Sequence, residues 1–266
     1  MILLNEKPIL CTHFPDNTIS TRISDESIHY HNVIEWKYES DTEMALLYYV
    51  VKHIRDLKGV EIVLNMPYIP NARMDRVKYA DEIFTLKYFA EFINSLEFDE
   101  VRVIDPHSNV SAALLNNLVI KESKLKSYIE ETIEKIGDEN LTVYFPDEGS
   151  MKRYGEIVVM PHAFGIKRRD WRTGNIEGIT LINEEAVKDK NVLIIDDICS
   201  KGGTFYYSAK ALKAAGAKDI YLYVTHCENT IFKGELIDSD LIRHIFTTNS
   251  IFTLAHPKIT VFKLDD

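Results

Sequence analysis

The stretch that decides the fold runs from Asn191 to His226 and reads NVLIIDDICSKGGTFYYSAKALKAAGAKDIYLYVTH. Residues 192–195 are a short apolar run rich in β-branched side chains, as in a strand buried on both faces. Asp196 and Asp197 follow at once. Residues 198–203 then read as a turn, and a helix opens at Thr204, with Ala209, Leu212 and Lys213 recurring at helical spacing. Gly216 stands where the glycine just past a helix end belongs, and residues 219–224 read as the next strand. The sum is a βαβ unit whose loop lies at the carboxyl end of a parallel strand, where open α/β sheets bind ligands.

That loop has the chemistry of a phosphate site. Gly202 and Gly203 let backbone N–H groups approach an anion closely. Thr204, at the helix start, adds a hydroxyl donor where the helix dipole favours negative charge. Two carboxylates would repel a phosphate, so Asp196 and Asp197 suit the paired hydroxyls of a ribose instead.

Composition bounds the rest. At 266 residues with 45% apolar side chains, the chain can bury a large core in one or two domains. A net charge of −10 argues against a nucleic-acid partner. The three cysteines, Cys11, Cys199 and Cys227, are far apart in sequence and give neither a disulfide framework nor a zinc signal. No apolar run approaches membrane-spanning length, and the opening MILLNEKPIL carries charges too early for a signal peptide. A cytoplasmic protein with no membrane partner is the expectation.

Along the chain, residues 1–40 read as short strands and turns, with a turn at residues 13–17 and a strand at 28–36. Asp41 and Thr42 cap an expected amphipathic helix that ends near Gly59. An apolar strand at 60–66 stops at Pro67-Tyr68-Ile69-Pro70. The loop beyond it carries Arg73, Asp75 and Arg76. A helix bearing Phe84, Tyr88, Phe89 and Phe92 follows, then a strand at 101–104 ending in Asp105-Pro106-His107. A second run of the same kind begins near Leu118, with a helix at 123–136 and a strand at 141–145. Next come the turn Pro146-Asp147-Glu148-Gly149, strand candidates at 157–160 and 163–166, and a basic loop from Lys167 to Asn175. Residues 242–246 and 259–264 look like closing strands. The pattern gives an α/β fold in two domains, 1–118 and 119–266, the last strand either closing the second sheet or returning to the first domain.

Taken in order, these stretches resemble the PRPP synthetases (ribose-phosphate pyrophosphokinases). HFPDNT at 13–18 resembles the family's adenine turn RFSDGE, with Phe14 and Asp16 matching. PYIPNARMDR resembles the ATP loop PYxxARQDR, with Arg73, Asp75 and Arg76 matching. Asp105-Pro106-His107 resembles DLH, and Pro146-Asp147-Glu148-Gly149 through Arg153 resembles PDxGxxxR. Lys167-Arg168-Arg169 resembles the mobile KRR loop, and DDICSKGGT resembles the sugar-phosphate loop DDxxDTGGT. Phosphoribosyltransferases share only the last of these.

The resemblance implies two type I phosphoribosyltransferase-like domains, each a mainly parallel sheet flanked by helices. It implies an enzyme that moves the β,γ-diphosphate of ATP onto the C1 hydroxyl of ribose 5-phosphate with Mg²⁺. Phe14, Asp16, Arg73, Asp75, Arg76 and His107 would then bind ATP, and His107 and Asp147 the magnesium. His107 is an odd ligand for magnesium, with a phosphate or a metal-bound water as its other partner. Lys167 and Arg169 would be catalytic, closing over the transferring group. Asp196, Asp197, Ser200, Lys201, Gly202, Gly203 and Thr204 would hold the sugar phosphate.

There are departures. Ser200-Lys201 replaces the family's Asp-Thr, which leaves ADP-ribose open as an acceptor, in service of NAD rebuilding. Met74 replaces a Gln and Thr18 a Glu. The chain is also short against the family at both ends, so a homo-oligomer smaller than a hexamer, down to a dimer, is expected. A phosphoribosyltransferase and a non-catalytic relative are the rival readings.

Overall fold

Apolar alternation along short segments, and three- and four-residue spacing along longer ones, set out strands and helices that bury their faces on two separate sheets. The computed structural model describes residues 1–57, 59–169 and 176–264, with 167–169, 176 and 177 as backbone alone. It divides into two units, Met1–Glu122 and Ser123–Asp266.

In the first unit the strands are β1 (Ile2–Leu4), β2 (Lys7–Pro8), β3 (Cys11–His13), β4 (Ile19–Thr21), β5 (His31–Trp36), β6 (Glu61–Asn65), β7 (Glu100–Val103) and β8 (Leu118–Ile120). Among the described residues, six form one sheet in the order β2–β1–β5–β6–β7–β8, and β3 pairs with β4 alone. From β5 to β8 the pairing is parallel, while β1 is antiparallel to both of its neighbours. The helices are α1 (Glu43–Arg55), α2 (Thr85–Ser95) and the short α3 (Asn109–Leu114). Leu47, Val50, Val51 and Ile54 of α1 and Leu86, Phe89, Ala90 and Ile93 of α2 pack with Ile34, Trp36, Ile62 and Leu64 of the sheet in one core. Thr42 does not cap α1 through its side chain. Instead Glu43 accepts from the Glu39 backbone N–H and the Trp36 indole, both at 2.9 Å.

The second unit holds α4 (Glu122–Ile136, its first residue in the unit before), β9 (Thr142–Phe145), α5 (Glu148–Tyr154), β10 (His162–Arg169), β11 (Ile176–Ile182), β12 (Val192–Cys199), α6 (Gly203–Ala214), β13 (Ile220–Cys227), β14 (His244–Thr248) and β15 (Ile259–Phe262). Its sheet, among the described residues, runs β11–β10–β9–β12–β13–β14–β15. Only the β10–β11 pairing is antiparallel. The core centres on Ile194, Leu222 and Ile245 of the sheet and Phe205, Ala209 and Leu212 of α6. Gly216 sits at φ +91 just past α6, and the Ala217 N–H donates back to Leu212 at 3.0 Å.

The division after Glu122 follows from β8, which pairs with β7 and so completes the first sheet. The closing strand β15 pairs with β14, not with the first unit, and Phe262 stacks on Phe246 and Tyr128. Residues 157–160 are not a strand. Their backbone turns back on α5, the Ile157 and Val158 N–H groups both donating to the Tyr154 carbonyl, and Val159 is 90% exposed. Residues 167–169, expected in a loop, continue strand β10 and pair with β11, the register shifting between Arg168 and Arg169. The rest of that expected loop, 170–175, lies outside the described residues.

Candidate functional site

In the second unit the site grows from two neighbouring parallel strands, β9 and β12. Past the end of β9, Asp147 caps α5. Its carboxylate accepts from the Ser150 N–H at 3.0 Å and from the Ser150 hydroxyl at 3.2 Å. This is a reciprocal capping box, which aims the acid along a fixed direction. At the end of β12 stand Asp196 and Asp197. The buried phenol of Tyr144, on β9, feels the charge of both Asp147 and Asp196. Burial first, and then those two carboxylates, push its pKa up to about 12. A Cβ at Gly165 would collide with the Tyr144 hydroxyl, so β10 packs close over this ring two residues before Lys167.

β12 is longer than its apolar run. Pairing with β13 carries it through Ile198 and Cys199, so both acids lie within the strand rather than after it. Adjacent strand residues face opposite ways, and the two acids differ accordingly. Asp196 is half-buried, whereas Asp197 is only 4% exposed and pairs with the Arg153 guanidinium at 3.2 Å. The two acids expected as a paired clamp are therefore one half-buried carboxylate and one buried in an ion pair.

The turn is residues 200–202, and α6 begins at Gly203, one residue before Thr204. Gly202 adopts φ +78, and a Cβ there would meet Leu236 side-chain atoms at 2.7 Å, so glycine is required on both counts. Lys201 and Gly203 are exposed, and Ser200 and Thr204 are half-buried. The structure thus brings Asp147, Asp196, Ser200, Lys201, Gly202, Gly203 and Thr204 to one edge of the second sheet. Lys167 and Arg169 belong to strand β10 of that sheet, and their side chains lie outside the described residues.

In the first unit the expected residues leave the carboxyl ends of the neighbouring parallel strands β6 and β7. The two exits are tied together, with the Ile104 N–H donating to the Pro67 carbonyl at 3.1 Å. Arg73 and Arg76 are exposed, and the Arg76 guanidinium lies 4.0 Å from an Asp75 carboxylate oxygen. His107 is half-buried two residues after Asp105, itself buried at φ +46. Phe14 and Asp16 are in the exposed turn joining β3 to β4. The Thr18 hydroxyl donates to Asp16 at 2.7 Å and its N–H at 3.0 Å, and together they hold the Asp16 carboxyl below its ordinary value.

Among the described residues no group of three or more His, Cys, Asp or Glu side chains is arranged to hold a metal. Magnesium commonly takes one or two carboxylates and completes its shell with water and substrate phosphates. The oriented carboxylate of Asp147 fits a metal of that kind and not one held in an all-protein cage. Also among the described residues, no helix is long and apolar enough to cross a membrane.

Sequence reasoning missed several residues at this edge. Arg153 was within a recognised motif, but its pairing with Asp197 depends on how α5 lies against β12. Thr230, Glu228, Gly234 and Leu236, beyond β13, lie against the end of β12 and the turn 200–202 and carry no motif.

The family model of the phosphoribosyl transferase domain matches residues 120–241. The ribose-phosphate pyrophosphokinase of Mycoplasma genitalium is 28% identical over 99% of this chain and 81% of its own length. That of Mycoplasma pneumoniae is 31% identical over 80% and 66%. The enzyme of the same name from Sulfurisphaera tokodaii is 27% identical over 79% and 72%. Over most of its length the chain is similar to ribose-phosphate pyrophosphokinases. The crystal structure of phosphoribosylpyrophosphate synthetase from Mycobacterium smegmatis superposes with a TM-score of 0.74 at 20% identity, over 96% of this chain and 86% of that one. The architecture is accordingly that of two phosphoribosyltransferase-like α/β domains, as in that synthetase.

Proposed function

We propose that the chain is a ribose-phosphate diphosphokinase. It transfers the β,γ-diphosphate of ATP to the C1 hydroxyl of ribose 5-phosphate and yields AMP and PRPP. The sugar oxygen attacks the β-phosphorus, the bond from that phosphorus to the α,β-bridging oxygen breaks, and AMP leaves with that oxygen. The hydroxyl proton passes to solvent.

The observation that carries this reading is the turn 200–202. It leaves β12 beside a half-buried carboxylate and opens α6 through a left-handed glycine with a threonine at the helix start. Backbone N–H groups of Gly203 and Thr204 and the Thr204 hydroxyl suit the 5-phosphate, with Lys201 adding charge. Asp196 suits the ribose hydroxyls, and Asp197 backs it from its ion pair with Arg153. Arg73 and Arg76 suit the triphosphate, because a guanidinium binds phosphate oxygens bidentately. Asp75 orients them, and Phe14 and Asp16 take the adenine. Asp147, with His107 in support, would hold Mg²⁺, which neutralises phosphate charge during transfer. Lys167 and Arg169 meet the charge that builds on the moving group. A homo-oligomer of dimer size is the assembly to seek by light scattering.

The test is incubation with ATP, Mg²⁺ and an acceptor, with products resolved by mass. Equal amounts of AMP and PRPP should form, and only when ribose 5-phosphate is present. AMP formed with ADP-ribose instead would move the acceptor assignment. Absence of AMP with either acceptor would overturn the reading, and consumption of PRPP with a free base would replace it by a phosphoribosyltransferase.

A further inference from the structure

The sugar-phosphate loop does not stand alone. The segment that follows β13 lies against its whole length. The Glu228 N–H donates to the Cys199 carbonyl at 2.8 Å. The Ser200 hydroxyl meets the Thr230 hydroxyl at 3.1 Å, and Thr230 in turn donates to the Glu228 carboxylate at 2.8 Å. A Cβ at Gly234 would run into the Lys201 backbone carbonyl, and Leu236 fills the space beside Gly202.

The direction of this chain of hydrogen bonds is fixed by elementary counting. A threonine hydroxyl has one hydrogen, and a carboxylate can only accept. With that hydrogen committed to Glu228, Thr230 must accept from Ser200. The Ser200 hydroxyl therefore has its own hydrogen engaged and offers lone pairs only. An oxygen in that state cannot donate to a phosphate. It can accept from a hydroxyl.

We propose that Glu228 and Thr230 are positioning residues that turn Ser200 into a hydrogen-bond acceptor for a sugar hydroxyl, dividing the loop into an accepting half at Asp196 and Ser200 and a donating half at Gly203 and Thr204. The proposal rests on the diphosphokinase reading and deepens it. Recognition of the acceptor is then spread over two loops, and a residue that touches no substrate sets the polarity of one that does.

The experiment is calorimetric titration of the full chain with ribose 5-phosphate and, separately, with inorganic phosphate, for wild type, Thr230→Val and Thr230→Ser. Valine keeps the shape of threonine and can neither accept from Ser200 nor donate to Glu228. Thr230→Val should weaken ribose 5-phosphate about tenfold, leave inorganic phosphate within about twofold, and raise the acceptor KM while leaving kcat and the KM for ATP unchanged. Thr230→Ser should restore the wild-type affinity. Equal weakening of both ligands would overturn the proposal, since Ser200 would then be a phosphate donor. Wild-type affinity in Thr230→Val would overturn it as well. A wild type that binds no ribose 5-phosphate would reject the diphosphokinase reading itself, and the proposal with it. Retained ATP binding by Thr230→Val shows that the variant is folded.

Discussion

Two loops at strand ends serve the proposed reaction, and they are built differently. The turn after β12 is braced from behind. Asp197 is locked to Arg153, Ser200 to Thr230, and Gly202 lies on Leu236. The connection after β6 shows Arg73 and Arg76 to solvent, with the Arg76 guanidinium 4.0 Å from the Asp75 carboxylate. The difference suits the two ligands. A small sugar phosphate offers few atoms for binding, so its site gains by being ordered beforehand. A nucleotide triphosphate brings enough charge to order exposed arginines itself. The contrast predicts that substitutions at the braced turn cost stability and those at the open one do not.

The largest effect should follow Arg153→Ala. It removes the guanidinium paired with the Asp197 carboxylate, 4% exposed, and removing one partner of a buried pair costs about 3–5 kcal/mol. Denaturant unfolding measures this, and a loss under about 1 kcal/mol would break the comparison at its strongest point. Gly234→Ala should come next. The new methyl must displace the Lys201 backbone rather than a flexible side-chain end, for a loss of about 1–3 kcal/mol. Ribose 5-phosphate affinity should fall with it, while ATP affinity holds.

At the open loop the order reverses. Arg76→Ala should change stability by no more than about 0.5 kcal/mol. It should raise the KM for ATP about tenfold or more, as expected for a charge-assisted contact to phosphate. Steady-state kinetics beside a melting curve would separate the two quantities. The smallest effect belongs to Thr18→Ala. It removes the hydroxyl that contributes most to the depressed Asp16 carboxyl. The direction is determinate: a carboxyl held low in the folded state adds stability above its unfolded value, lost as pH falls through the folded one. NMR titration of Asp16 should show its pKa rising toward the ordinary carboxylate range in the variant.

Much of the fold was legible because it rests on local pattern. The βαβ unit around Gly202 announced itself through an apolar run, two acids, a glycine pair and a terminal Gly216. What failed was pattern that needs a partner. Residues 157–160 are apolar enough for a strand but have no strand beside them, and they turn back on Tyr154. β11 carries little signal of its own and exists by pairing with β10. The two acids looked like a matched pair because sequence shows only adjacency. Continuation of β12 along β13 as far as Cys199 turns them to opposite faces. The brace beyond β13 was illegible for a similar reason. Thr230 and Glu228 are ordinary surface residues until the sheet register sets them beside Ser200.

The central claim is that the sugar phosphate lies in the turn between β12 and α6. A crystal structure of the protein soaked with ribose 5-phosphate tests this most directly. The account predicts the phosphate on the N–H groups of Gly203 and Thr204, with ring hydroxyls on Asp196 and Ser200. A phosphate seated on Arg73 and Arg76, with the turn empty, would contradict it.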